Sequence, residues 1–288
     1  MKNTKLLILL PLFVMVAVVA SGQVQCKRAL VFGLGEQEDV SWGKINGDKD
    51  IDYIVPMLRG AGYSDIVALR NSEATKVAMV EAFEALAMRC MPGDIVYVHY
   101  SGHGQLMTDL NGDEQMKWSG RHAQWDESWI PYDARMVYCD NDRGEKHLCD
   151  DEVAALLVAI REKIGGAGEL VVVVDACHSG AATCGGEMPP VRGIDVKFNI
   201  PREGGVAKCE PVEECWLTVS ACKPFQLNTE MSAPKVGKLT YALYTLGLGV
   251  LDKSNGELQE LLNEFMEQNK GRLPQVPVVS GVKKMLDR

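Results

Sequence analysis

Two short polar motifs hold the residues able to do covalent chemistry: Tyr100-Ser-Gly-His-Gly104 and Asp175-Ala-Cys-His-Ser-Gly180. A cysteine thiol is mostly protonated at neutral pH. An imidazole that takes its proton, or stabilises the thiolate, makes a sulfur nucleophile able to attack a carbonyl carbon. The same imidazole then returns the proton to a leaving amine. This chemistry assigns Cys177 as nucleophile and His103 as base, with an acyl-enzyme between the two half-reactions. The oxyanion formed on the way needs N–H donors, and the backbone N–H groups of Gly104 and Cys177 sit next to the two reacting side chains. The glycines beside each motif let the chain turn sharply and let a substrate approach closely.

Both motifs follow hydrophobic runs that read as strands. Ile95 to Tyr100 precedes the first motif, and Glu169 to Val174, the most β-branched run of the mature chain, precedes the second. Further strands are expected at 29–33, 65–69, 215–220 and 275–279. Helices are expected at 50–58, at 72–89 with Ser72 as cap, and at 150–164, 238–250 and 257–268. Apolar runs alternating with amphipathic segments predict an α/β fold: one domain with a mostly parallel central sheet and helices on both faces. In such sheets ligands bind beyond the carboxyl ends of the strands, which is where His103 and Cys177 would meet if their strands are neighbours. The stretches 104–149 and about 178–213 read as long irregular loops, too long to be idle connections.

The first 22 residues stand apart. Lys2 and Lys5 precede an apolar run from Leu6 to Ala20, and Ala20-Ser-Gly22 is a small-residue cleavage site. This is the pattern of a secretory signal peptide, so the single domain is expected over 23–288 and the mature chain in the periplasm or outside the cell. The run is short for a membrane span, so no stable membrane insertion is expected once it is removed. Cleavage removes two lysines and takes the formal charge from −9 to −11. An acidic chain repels phosphate backbones, which argues against nucleic acid as a partner. The nine cysteines show no zinc-ligand spacing. Export allows disulfides, and Cys139–Cys149 and Cys184–Cys209 are plausible loop-closing pairs, while Cys90 and Cys222 read equally well as buried free thiols.

Taken together, the two motifs resemble those of the caspase-like cysteine peptidases, most closely the metacaspase branch. The resemblance extends to Asp109-Leu-Asn-Gly-Asp-Glu114, to Asp126-Glu-Ser-Trp-Ile-Pro-Tyr-Asp133, to Asp150-Asp151 and to Val219-Ser-Ala-Cys222. It implies a caspase-like domain and a cysteine endopeptidase acting on peptides or proteins after Arg or Lys, through an acidic pocket. Asp175 and Asp50 match the pocket carboxylates and Ser101 a site serine. A carboxylate pair in a closed cleft suits a guanidinium. The chemistry requires no cofactor, but the resemblance implies calcium as an activator, with Asp126, Asp150 and Asp151 at ligand positions suited to a hard cation. The chain departs from the family at Thr183 and Cys184, where a further Asp is expected.

Other readings remain open on sequence alone. A catalytically silent binding protein would keep the fold, and a transpeptidase or a peptidase with another P1 choice would keep the dyad. The loop after Cys177 carries Arg192, Lys197, Arg202 and Lys208, at which a protease with basic preference would cut its own chain. His178 reads as a loop neighbour, Gly33-Leu-Gly35 as a fragment of a phosphate loop without the rest of its pattern, and Trp118, Trp125 and Trp129 as packing beneath the long loop.

Overall fold

The computed structural model describes residues 25–114, 125–177, 190–201, 212–224, 226–271 and 273–285. The expected leader, along with Trp118, His178, Cys184 and Cys209, lies outside the described residues. In chain order the elements are β1 (Lys27–Gly33), α1 (Gly47–Gly60), β2 (Asp65–Arg70), α2 (Lys76–Arg89), β3 (Ile95–Ser101), β4 (Gly104–Thr108), β5 (Trp125–Trp129), β6 (Leu148–Cys149), α3 (Asp150–Ile164), β7 (Glu169–Asp175), β8 (Leu217–Ser220), α4 (Lys238–Leu246), α5 (Asn255–Gln268) and β9 (Val278–Gly281).

The main sheet has the order β2-β1-β3-β7-β8-β9. Every pairing in it is parallel except that of the edge strand β9 with β8. Strand alternation divides the core in two. Leu30, Phe32, Val98, Val172 and Val174 face α2 and α3, where Phe83, Leu86, Leu157 and Ile160 meet them. Ala29, Val31, Val171 and Val173 face α1, α4 and α5, where Ile54, Leu58, Leu239, Leu243 and Leu262 meet them. A strand buried on both faces has to be apolar along its whole length, which is the reason for the Leu-Val-Val-Val-Val run of β7. Each such side chain contributes roughly 1.5–3 kcal/mol of burial.

Three sequence expectations change. The stretch 104–149 is not wholly irregular: β4, β5 and β6 form a separate antiparallel sheet. These strands are short and polar, and their partners are remote in sequence, so no local period marks them. The cap of α2 is Thr75, whose Oγ1 accepts from Ala78 N at 3.3 Å. Ser72 instead lies in a 3-10 turn over Asn71–Glu73 that precedes the helix. Cys139 and Cys149 carry free thiols rather than a bond to each other, and Cys90 and Cys222 are buried free thiols. Asp142 holds the 139–147 loop by accepting from the N–H groups of Arg135 and Gly144, a role a disulfide there would have duplicated.

Candidate active site

The register of the main sheet brings the two motifs together. Ser101, at the end of β3, pairs with Asp175, at the end of β7. His103 and Cys177 each follow two residues later, so they leave adjacent strand tips at the same sheet edge. His103 is buried at 3% exposure and Cys177 at 2%.

His103 Nε2 lies 2.6 Å from the Gly43 carbonyl oxygen, to which it can only donate. That contact assigns the ring proton to Nε2 and leaves Nδ1 as the acceptor. Nδ1 is buried, and among the described residues it has no hydrogen-bond partner. The Trp42 ring packs 5.2 Å from the imidazole, centroid to centroid. Burial pulls the His103 pKa down to about 4, so the ring is neutral near pH 7 and able to accept a proton. The Cys177 thiol donates to the Gln226 carbonyl at 2.6 Å. Cys222 stands beside it, its own thiol pushed far up by its hydrogen bond with Cys177 and by burial.

On the α1 and α4 side of the strand tips is a closed polar pocket, and Arg192 fills it. Arg192 is fully buried. Its guanidinium donates to both oxygens of Asp50, Nη1 at 2.7 Å and Nη2 at 3.1 Å. Nε donates to Glu230 Oε1 at 3.0 Å, and Nη1 lies 3.4 Å from Asp175 Oδ1. Three carboxylates therefore face one guanidinium. Two helix starts supply the remaining compensation: Gly237 N and Thr240 N, at the beginning of α4, donate to Asp50 and Asp175, and Asn46 N, before α1, donates to Glu230. Burial alone would raise the Asp175 carboxyl, but Arg192, Asn228 and Thr240 hold it below its ordinary value. Ser101 Oγ donates to Asp50 at 2.7 Å. Behind it, Tyr97 O–H reaches His99 Nδ1 at 3.0 Å, and His99 Nε2 meets Ser101 Oγ at 2.9 Å. Burial lowers the His99 pKa to about 4, so this relay is built on a neutral ring. Gly237 gives the guanidinium room, since a Cβ there would collide with the Asp175 carboxylate and Arg192 Nη1.

The main chain of Arg192 is held as well. Its carbonyl oxygen accepts from Cys177 N at 2.8 Å and from Gly104 N at 3.3 Å. Asp50, Ser101, Gly104, Asp175 and Cys177 thus converge on a single residue. Glu230, Thr240 and Asn228 also belong to the pocket but carried no mark in the sequence, and Arg192 was visible only as one basic residue among several in a loop.

Asp126, Asp150 and Asp151 form a separate group. Asp126 lies on β5 and the other two open α3, and one carboxylate oxygen from each lies within 4.8 Å of the others. Asp109, Asp113 and Asp126 form a second such triplet, sharing Asp126. Asp126 Oδ1 is buried with no hydrogen-bond partner among the described residues. Burial first, and then Asp150 and Asp109, push its carboxyl up to about 8. Crowded hard-oxygen donors, Asp126 buried and Asp150 and Asp151 half-buried, fit a dication such as calcium.

Comparison with known proteins agrees with these features. Residues 27–183 match the family model for the metacaspase, peptidase C14 domain. Metacaspase-1 of Meyerozyma guilliermondii is 29% identical over 165 residues, covering 54% of this chain and 36% of that protein. Metacaspase-1A of Aspergillus clavatus is 28% identical over 187 residues, covering 62% of this chain and 39% of that protein. The chain thus spans well under half the length of these curated relatives. Among solved structures, protein GSU0716 of Geobacter sulfurreducens superposes with a TM-score of 0.60 at 20% identity, covering 91% of this chain and 95% of that one. Caspase-1 of Spodoptera frugiperda superposes at 0.57 and 13% identity, covering 93% and 91%. These two show the fold, which is caspase-like.

Proposed function

The chain belongs to the metacaspase family of peptidase C14 domains, and from that premise we propose that it is a cysteine endopeptidase that cleaves peptide bonds after Arg and Lys. One observation carries the reading. A basic side chain lies among the carboxylates of Asp50, Asp175 and Glu230, while the carbonyl of the same residue rests on the N–H groups of Cys177 and Gly104. A P1 residue needs both contacts at once: a pocket for its charge and donors for the oxygen that becomes anionic.

In the mechanism that follows, His103 Nδ1 takes the Cys177 proton. The sulfur turns from the Gln226 carbonyl to the P1 carbonyl carbon. The Gly43 carbonyl keeps the imidazole oriented and stabilises the imidazolium that forms. Collapse of the tetrahedral adduct transfers the proton to the leaving amine, and water then hydrolyses the thioester with His103 as base again. Calcium is proposed as an activator held by Asp126, Asp150 and Asp151, where it would supply structural charge balance. The support is the fit of three hard-oxygen ligands, two of them from the start of α3. Export is proposed on the leader pattern of residues 1–22. Among the described residues no helix is long and apolar enough to cross a membrane.

The test is hydrolysis of fluorogenic peptides ending in Arg, Lys or Asp before the fluorophore, with purified mature protein, calcium and reductant. Arg and Lys substrates are cut and Asp substrates are not. Cys177→Ala abolishes the signal, and His103→Ala lowers it by at least about a hundredfold, the scale of a lost general base. Equal cleavage of the Asp substrate would remove the basic-P1 assignment.

A further inference from the structure

Two thiols meet beyond the tips of β7 and β8, and the peptide chemistry uses only one of them. Val174 pairs with Ser220, and Ala221 N still donates to the Val174 carbonyl at 3.0 Å. Cys177 comes three residues after Val174 and Cys222 two residues after Ser220, so neighbouring parallel strands deliver both sulfurs to one place. Neighbouring strands run about 4.8 Å apart, inside the about 4.4–6.8 Å between Cα atoms that a disulfide needs. The Cys177 thiol donates to the Gln226 carbonyl oxygen at 2.6 Å, and the Cys222 thiol donates to the same oxygen at 3.5 Å. The two side chains are also hydrogen-bonded to each other. Neither is in a disulfide. A second observation concerns access. Both residues line a cavity of about 480 Å³ on the α3 side of the sheet, with Val174 and Leu157 in its wall and Val212 and Lys223, both exposed, at its rim. The carboxylates of Asp50, Asp175 and Glu230 lie on the α1 and α4 side. A small reagent therefore reaches the pair without passing the acidic pocket. A cysteine that served only as a small apolar filler would need neither the shared acceptor nor the contact with the nucleophile.

We propose that Cys177 and Cys222 form an oxidation site, at which a hydroperoxide converts the pair to a disulfide that takes the nucleophile out of use reversibly and shields it from further oxidation. The effect on activity rests on the proposed peptidase reading; the bond itself does not, and it gives Cys222 a role that peptide cleavage leaves vacant. The two sulfurs act in a fixed order. His103 Nδ1 is a neutral acceptor, so Cys177 gives up its proton first and meets the oxidant. The hydrogen bond with Cys177, and then burial, hold the Cys222 thiol far above its ordinary range, so it stays protonated and acts second.

The step balances with one hydroperoxide as oxidant. The Cys177 thiolate attacks one peroxide oxygen, the O–O bond breaks, and the sulfur becomes a sulfenic acid. The departing oxygen takes the proton held by His103 and leaves as an alcohol, or as water when the oxidant is hydrogen peroxide. Oxidation of Cys177 removes the thiol contact that held the Cys222 proton in place. The Cys222 sulfur then attacks the Cys177 sulfur: the S–S bond forms, the S–O bond breaks, and the hydroxyl leaves with the Cys222 proton as water. Two electrons pass from the sulfurs to the peroxide. Without a second thiol at hand the sulfenic acid goes on to sulfinic acid, which a thiol reductant does not reverse. With Cys222 in contact, it is trapped as a disulfide that a dithiol reopens by exchange.

The test treats the purified mature protein, freed of reductant, with a small excess of hydrogen peroxide. Non-reducing peptide mapping by mass spectrometry then finds the cysteine partners, and activity on a P1-Arg peptide is recorded before treatment, after it, and after dithiothreitol. Wild type is expected to give a linked pair of peptides carrying Cys177 and Cys222, to lose at least about tenfold in activity as a blocked nucleophile requires, and to regain it with dithiothreitol. In Cys222→Ala the same treatment is expected to cause a loss that dithiothreitol does not reverse, with Cys177 recovered as sulfinic acid. In Cys177→Ala, Cys222 is expected to stay a thiol. Mapping also covers Cys184 and Cys209, which lie outside the described residues. Oxidised wild type with Cys177 bonded to any other cysteine, or converted to sulfinic acid beside an intact Cys222 thiol, would overturn the inference and leave the peptidase reading standing. So would recovery of Cys222→Ala by dithiothreitol to the same extent as wild type. A mapped Cys177–Cys222 bond in a protein inactive on every basic peptide upholds the oxidation site and sinks the peptidase reading instead.

Discussion

Glu230 separates an arginine pocket from a merely basic one. Asp50 meets both outer nitrogens of the guanidinium, while Glu230 Oε1 meets Nε and Nη2, each at 3.0 Å, along the side of the fork. A lysine ammonium is a point charge on a flexible stem and has no group at the Nε position. Loss of the Glu230 charge therefore falls on arginine. Glu230→Gln is expected to lower kcat/KM for P1-Arg peptides by about 10- to 100-fold, the worth of one charge-assisted hydrogen bond. P1-Lys peptides change by less, so the Arg/Lys ratio measured side by side in steady-state kinetics checks the assignment. Equal losses on both substrates would mean that Glu230 acts only through the general field of the pocket.

Among the elements, the helix starts bear most directly on the site. The first turns of α1 and α4 supply both side chains and backbone donors: Asp50 comes from α1, and Gly237 N and Thr240 N come from the beginning of α4. A pocket holding three carboxylates needs such donors whether or not a guanidinium is present, which is why two helix N-termini converge there. The α2 start is structural only. Thr75 caps it and Ser72 is exposed in the preceding turn. Thr75→Ala is expected to cost about 1 kcal/mol and Ser72→Ala almost nothing, as measured by denaturant unfolding. The reverse order would return the cap to Ser72.

At the scale of the molecule, the acidic group joins two layers. Asp126 belongs to the small antiparallel sheet, and Asp150 and Asp151 to the helix that packs on the main sheet. A dication held there would tie the small sheet, which carries Gly104 at the edge of the site, to the main body. Calcium at about 100 times its dissociation constant should then stabilise the fold by roughly 2.7 kcal/mol, read as a rise in Tm over the same protein in chelator. Asp126→Asn should lose most of that rise. A Tm unmoved by calcium at millimolar concentration would leave these carboxylates as a structural cluster only.

Local pattern was sufficient for most of the main sheet and for singling out the candidate pair. A strand buried on both faces must be apolar from end to end, and a short polar motif with a His or Cys just past such a strand has few structural uses, so β3, β7 and the candidates His103 and Cys177 were legible residue by residue. Asp50, Ser101 and Asp175 were legible only through resemblance to a family. Tertiary structure alone decided the rest. β4, β5 and β6 pair across tens of residues with no period to announce them. Cys139 and Cys149 keep free thiols in a loop that Asp142 holds by accepting backbone hydrogen bonds. Glu230, Asn228 and Thr240 become pocket residues only when the segment before α4 folds over the tips of β3 and β7. The position of Arg192 is the clearest case. A basic residue in a glycine-rich loop has no preferred place along the chain, and only the convergence of Asp50, Asp175 and Glu230, separated by up to 180 residues, makes a buried site whose charge selects it.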